Sequence, residues 1–219
     1  MPLQNRVDPY GALFRSPARG TMMGNRGGAL HNEEREIVRP FLGRRWITCV
    51  LEFKDRRRTV MTPRRYTELF FLDEAVSFAA GHRPCAECRR ERFNAFKNAW
   101  RRRDQTNPKK LLLAPEIDAE LHRTRVDDEK RKVTYQAELG SLPNGCFVQI
   151  DKAAYLVWDQ SLLRWTPERY SSQDRRPDRM KVTVLTPQPV VECFLVGYVP
   201  EIHASSGKSW TDTPKRVSL

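Results

Sequence analysis

The sequence is short of acidic residues, histidine and long apolar runs. No segment approaches the roughly 18 consecutive apolar residues of a membrane span. Met1 to Arg19 carries charges and prolines without an apolar stretch. No signal peptide is therefore expected, and the protein is expected to be cytoplasmic. Cysteine occurs five times, at Cys49, Cys85, Cys88, Cys146 and Cys193. An odd count with no export signal argues against a disulfide framework. No Gly-x-Gly-x-x-Gly or Gly-x-Ser-x-Gly motif occurs. Gly207-Lys208-Ser209 lacks the upstream glycine and strand of a phosphate loop. What is present suffices for a folded chain. The 219 residues are 39% hydrophobic and 10% aromatic, enough to bury a core and to exclude wholesale disorder.

The acid deficit has an address. The net charge is +12. Residues 1–110 hold 24 Lys+Arg against 12 Asp+Glu, while residues 111–219 hold 15 of each. Of the 24 basic residues, 20 are Arg, whose planar fork suits phosphate. A basic half beside a neutral half points to an anionic partner, with nucleic acid first. A membrane surface fits less well, because no basic amphipathic helix is evident. A solvated Arg-rich face remains the plainer alternative.

The punctuation of the chain suggests an α+β fold. Residues 1–28 read as loop, and a short helix is expected from Asn32 to Pro40. Trp46 to Phe53 and Thr67 to Phe71 have strand composition, and Thr59 to Met61 reads as a returning strand. Asp73 should cap a helix that Gly81 closes. A second helix should follow Cys85, with Phe93, Phe96 and Trp100 on one face. Residues 104–110 look like a linker, and Pro115 should open a third helix. The second half is β-rich up to a short helix over Pro189–Gly197. Two modules are expected: a basic one over 15–104 and a neutral β-rich one over 111–205. A flexible tail should occupy 206–219.

Chemistry concentrates at Cys85-Ala86-Glu87-Cys88. Two thiolates at this spacing suit one tetrahedral Zn²⁺. A helix start and the flanking Arg83, Arg89 and Arg90 favour thiolate over thiol. A redox C-x-x-C would follow a strand within a βαβ unit; here a helix and Gly81 precede it. Two unrelated structural cysteines are the remaining reading.

The stretch Thr67 to Arg90 resembles the second half of the Ada-type metal-binding domain, found in adaptive-response alkylation-repair proteins and as an appended module. Phe70-Phe71, Glu74-Ala75, Ala79-Ala80-Gly81, Arg83-Pro84-Cys85 and Cys88 match its pattern. His82 stands where Tyr or Phe is usual. Upstream, Gly24-Asn25-Arg26 to His31 resembles the opening of the appended modules, where His replaces the first zinc cysteine. The resemblance covers about residues 22–92. It implies an Ada-like, zinc-organised module that binds DNA in repair or modification. Cys85, Cys88 and His31 would be ligands, with a fourth from Cys49, His82 or Glu34. Arg26, Arg83, Arg89 and Arg90 would contact phosphate. Arg35 stands where the family has another cysteine, and the gap to the C-x-x-C is longer. The methyl-acceptor cysteine aligns with His31, so methyl-acceptor activity is not expected.

A competing reading joins His31-Asn32-Glu33 to Pro84-Cys85-Ala86-Glu87-Cys88 as H-x-E…P-C-x-x-C, the zinc-deaminase signature. Glu33 would then be the general acid/base of a zinc-dependent hydrolase or nuclease acting on nucleic acid. The long separation of His31 from Cys85 and the helix before Pro84 count against it. Glu33 could equally be a first-turn helix carboxylate. His122, with Arg125 three positions on and Asp127 and Asp128 beyond, could be catalytic or lie on an amphipathic surface helix, and nothing locates a partner for His203. Trp158 and Trp165 could stack on bases or pair within a hairpin core.

Overall fold

The computed structural model describes residues 1–55, 59–103 and 112–207. Among these residues, two six-stranded sheets and four α-helices make an α+β fold. The first sheet contains β1 (Arg6–Val7), β2 (Leu13–Phe14), β3 (Met22–Arg26), β4 (Trp46–Cys49), β5 (Leu69–Phe71) and β6 (Arg83–Pro84), in the order β2-β1-β5-β3-β4-β6. The second contains β7 (Tyr135–Glu138), β8 (Phe147–Ile150), β9 (Ala153–Trp158), β10 (Ser161–Trp165), β11 (Tyr170–Arg175) and β12 (Lys181–Val184), in the order β11-β10-β9-β8-β12-β7. The helices are α1 (Glu74–Ala79), α2 (Arg90–Arg103), α3 (Ala114–Arg125) and α4 (Gln188–Leu195).

The second sheet is covered on both faces, and its sequence says why. Val148, Val157, Leu162, Val182 and Val184 pack with Phe96, Ile117, Leu121 and Phe194 of the helices. Their strand neighbours Phe147, Leu156 and Leu163 pack instead with Leu69, Phe71 and Val76 of the first half. Successive strand residues point to opposite faces, so runs such as Cys146-Phe147-Val148 are apolar throughout because both faces are buried. The two expected modules each contribute a sheet, but they share cores rather than owning one apiece. Polar ties reinforce the join. Asp73 accepts from the Tyr170 hydroxyl at 2.7 Å and from the His203 amide at 2.9 Å.

Several local expectations hold. The Asp73 side chain caps α1 through the Val76 amide at 2.9 Å. Gly81 follows with φ +85°, where a Cβ would also lie 2.7 Å from Arg125 Cδ. Phe93, Phe96 and Trp100 form the buried stripe of α2.

Others are corrected. Asn32 to Pro40 forms no helix, because Asn32 Oδ1 accepts from the Glu36 amide at 2.8 Å and Arg35 turns to φ +63°. The expected strand at Thr59–Met61 is absent, and Met61 has φ +53°. The expected N-terminal loop contains β1, β2 and β3. The strand from Trp46 ends at Cys49 rather than Phe53. Trp158 is buried and Trp165 packs edge-on to Phe14, so the two tryptophans belong to the core. The expected linker, 104–110, and the tail from residue 208 lie outside the described residues.

Candidate metal centre

Strand register assembles the cysteines. β4 runs parallel to β6, with Thr48 opposite Pro84. The Cys85 amide donates to the Thr48 carbonyl at 2.9 Å. Cys49, one residue past Thr48, therefore meets Cys85, one residue past Pro84. The turn before α2 then brings Cys88 to the same place. The three sulfurs lie within 4.8 Å of one another and could hold a metal ion. Among the described residues, no fourth His, Cys, Asp or Glu joins the group.

The surroundings favour negative sulfur. The backbone N–H groups of Glu87 and Cys88 donate to Cys85, and that of Val50 donates to Cys88. Hydrogen bonds from the Cys49 and Cys88 thiols pull Cys85 far down the thiol range, and the same contact pushes Cys49 up. Burial and the neighbouring sulfurs oppose ionisation of Cys49 and Cys88 beside Cys85, so a cation among them would favour the thiolates. Three soft thiolates suit zinc and other thiophilic metals rather than magnesium or calcium.

The loop is braced from behind. Arg83, buried on β6, forms a two-pronged ion pair with Asp118 of α3, with both contacts at 2.8 Å. Arg89, one residue past Cys88, pairs with Glu74 at 2.8 Å and Glu201 at 2.6 Å. Glu74 is completely buried, and it also binds Arg92 and accepts from the Tyr198 hydroxyl. A cleft of about 550 Å³ opens over the cysteines. Glu52, Glu68, Glu87, Arg45 and Tyr66 are in its lining.

The expected site residues divide sharply. Cys49, Cys85 and Cys88 come together. His31 does not join them. Its Nε2 donates to the Thr62 carbonyl at 3.2 Å, which leaves Nδ1 to accept from the Thr67 hydroxyl at 2.7 Å. Both nitrogens are committed, so none is left for a metal. His82 is fully buried against Trp46 and Phe71, with its pKa driven well down by burial and the charges of Arg26 and Arg125. Glu34 is exposed outside the group. Glu33 is also exposed, paired with Arg64 at 2.9 Å, and does not line the cleft. Three of the four arginines expected at phosphate, Arg26, Arg83 and Arg89, are buried, and only Arg90 is exposed. Arg83 and Arg89 spend their charge on carboxylates; Arg26 hydrogen-bonds instead to backbone carbonyls and His82. Sequence reasoning missed Glu87 and Glu68 as cleft groups, although Glu87 lies between the two cysteines.

Compared with protein-family models, curated proteins and solved structures, the chain matches none of them, so its functional reading rests on its own residues.

Proposed function

We propose that the protein is a zinc-organised nucleic-acid-binding protein, with DNA its partner in repair or modification and without methyl-acceptor activity. The observation that carries this is the convergence of Cys49, Cys85 and Cys88 from two neighbouring strands. These three residues would hold zinc. The Ada-like segment around Cys85 and the basic first half support the nucleic-acid part. Because Arg83 and Arg89 are committed to carboxylates, the phosphate contacts pass to exposed residues. Arg90 remains, and Arg44, Arg45 and Arg65 are exposed on the loops around β4 and before β5. Arg45 also lines the cleft.

Metal analysis of purified protein tests the centre. About one zinc per chain is expected, as for a single tetrahedral site, and Cys49→Ser or Cys85→Ser should abolish it. Titration with duplex DNA over a salt range tests the partner. Affinity should fall steeply with salt, and Arg45→Ala should reduce the slope by about 1. Affinity indifferent to salt would remove nucleic acid from the reading.

A second reading is a zinc-dependent hydrolase acting on nucleic acid. It is favoured by a specific feature: three protein ligands with a cleft beside them, rather than four. Structural zinc sites are closed by four ligands, whereas catalytic ones keep a position open. Zinc would supply Lewis acidity and an acidified water. Glu87 or Glu68, not Glu33, would handle the proton, since both line the cleft. Turnover of cytidine- or adenosine-containing strands that is lost in Glu87→Gln, with zinc content unchanged, would select this reading.

A further inference from the structure

A second cavity, of about 530 Å³, lies on the opposite side of the first sheet. Alternation along β3 and β4 separates the two sites. Asn25, Ile47 and Cys49 line the cysteine cleft, while Arg26 and Trp46, which face each other in register, line the second cavity. Arg125, at the end of α3, and Lys132 complete its inner wall.

These three cations are held without carboxylate partners. Among the described residues, none of them forms an ion pair. Arg26 donates to the carbonyls of Gly11 and Pro40 and to His82 Nε2. Arg125 donates to the carbonyls of Gly81 and Arg44, at 2.7 and 2.6 Å. Lys132 donates to the carbonyl of Ala79. Arg125 is 1% exposed, and among the described residues its Nε–H has no hydrogen-bond partner. Both guanidinium carbons lie over the Trp46 ring, at 4.3 and 3.9 Å. The ring fixes their placement and leaves donors to spare. Asp8 is the one nearby carboxylate acting on Arg26 and Lys132, and its own oxygen accepts from the Ala12 amide. Asp118 also acts on Arg125 but is committed to Arg83.

Gathering buried cations in this way is costly for a fold. Burial alone pushes Arg26 down to about 9; burial first, then repulsion from Arg26, pushes Arg125 to about 9 and Lys132 to about 7. An arginine does not give up its proton in a protein, so the strain stays in the structure as unbalanced positive potential. Fixed, desolvated donors of this kind are what an oxyanion recognises most strongly. The cavity volume falls in the range of small-ligand sites. The exposed Arg39 and Lys130 add positive charge at its mouth.

We propose that this cavity is a binding site for a phosphorylated ligand, with its phosphate held by Arg26, Arg125 and Lys132. Nucleotides and the 5′-phosphate end of a strand present the same chemistry. The site does not depend on the metal centre.

Thermal unfolding of the full chain tests it, with ionic strength matched by sodium chloride. Pyrophosphate, adenosine monophosphate, and a short oligonucleotide with and without a 5′-phosphate are the probes. Saturation near 100 times Kd should raise Tm by roughly 5–10 °C. Lys132→Met should remove most of the rise. It is the variant of choice because Lys132 has one hydrogen bond and partial exposure, whereas Arg125 is built into the core. Arg39→Ala at the rim should weaken the response without unfolding the chain. A larger shift with the mononucleotide identifies a small-molecule site. A shift with the oligonucleotide only when it is 5′-phosphorylated identifies a strand end. No shift with any probe, or the same shift in Lys132→Met as in wild type, overturns the proposal.

Discussion

At the residue scale, two pairs of buried arginines do opposite things, and environment decides which. Arg83 and Arg89 are buried beside carboxylates and act as braces for the cysteine loop. Arg26 and Arg125 are buried beside carbonyls and an aromatic ring, so their charge stays available. No sequence rule separates these cases, because the partners are remote: Asp118 lies 35 residues from Arg83. Lys132 offers a direct measurement. Burial, reinforced by Arg26 and opposed by Asp8, pushes its pKa from 10.5 to about 7. Between those values the unfolded chain binds the proton more tightly than the folded one, so this group's contribution makes stability rise with pH. Lys132→Met should therefore unfold at a higher temperature than wild type near pH 7. The gap should close as pH approaches 10.5. Melting curves at a series of pH values check this. A gap that does not depend on pH would mean that the amine is not strained.

At the element scale, the candidate metal centre is a product of strand pairing. The C-x-x-C was legible because its two sulfurs lie close in sequence. Cys49 was one of three proposed partners, and only the β4–β6 register, with Thr48 opposite Pro84, selects it. His31 was the stronger sequence candidate, yet the Thr67 hydroxyl and Thr62 carbonyl consume its nitrogens. Elements with strong local signals were legible as well: the Asp73 cap, Gly81 after α1, and the α2 stripe all encode themselves within a few residues. The edge strand β11, Tyr170-Ser171-Ser172-Gln173-Asp174-Arg175, was not, because five of its six residues are exposed and carry no apolar alternation. α1 carries a prediction of its own. Its Glu74 neutralises Arg89 and Arg92 with no exposure to water. Breaking a buried pair strands the remaining charge, at about 3–5 kcal/mol. Glu74→Gln should lower stability by that order in denaturant titration. It should also loosen zinc, because Arg89 adjoins Cys88. Loss of stability with zinc affinity intact would confine Glu74 to a purely structural role.

At the scale of the whole molecule, the charge split suggested two modules, and the sheets follow it, one to each half. Charge reports surface, however, whereas module independence is a property of the core. The second sheet buries Phe147, Leu156 and Leu163 against the first half and Val148, Val157 and Leu162 against helices, two of which lie on either side of the 104–110 stretch. Cutting there would strip α2 and the first sheet from the second half at once. Tyr198 and Glu201 would lose Glu74, and Tyr170 would lose Asp73. Each half alone would then expose large apolar surfaces and buried polar groups with no partners, and both penalties fall on marginal stability. Neither residues 1–103 nor residues 112–219, produced separately, should show a cooperative melt by far-ultraviolet circular dichroism. The intact chain should unfold in one transition, seen alike by circular dichroism and tryptophan fluorescence. Because the cysteines sit at the edge of this shared core, a strong chelator should move that single transition downward as a whole rather than split off an early step. Two resolved transitions in the intact chain, or a cooperative melt from either half, would show that the joined core is not the unit of stability.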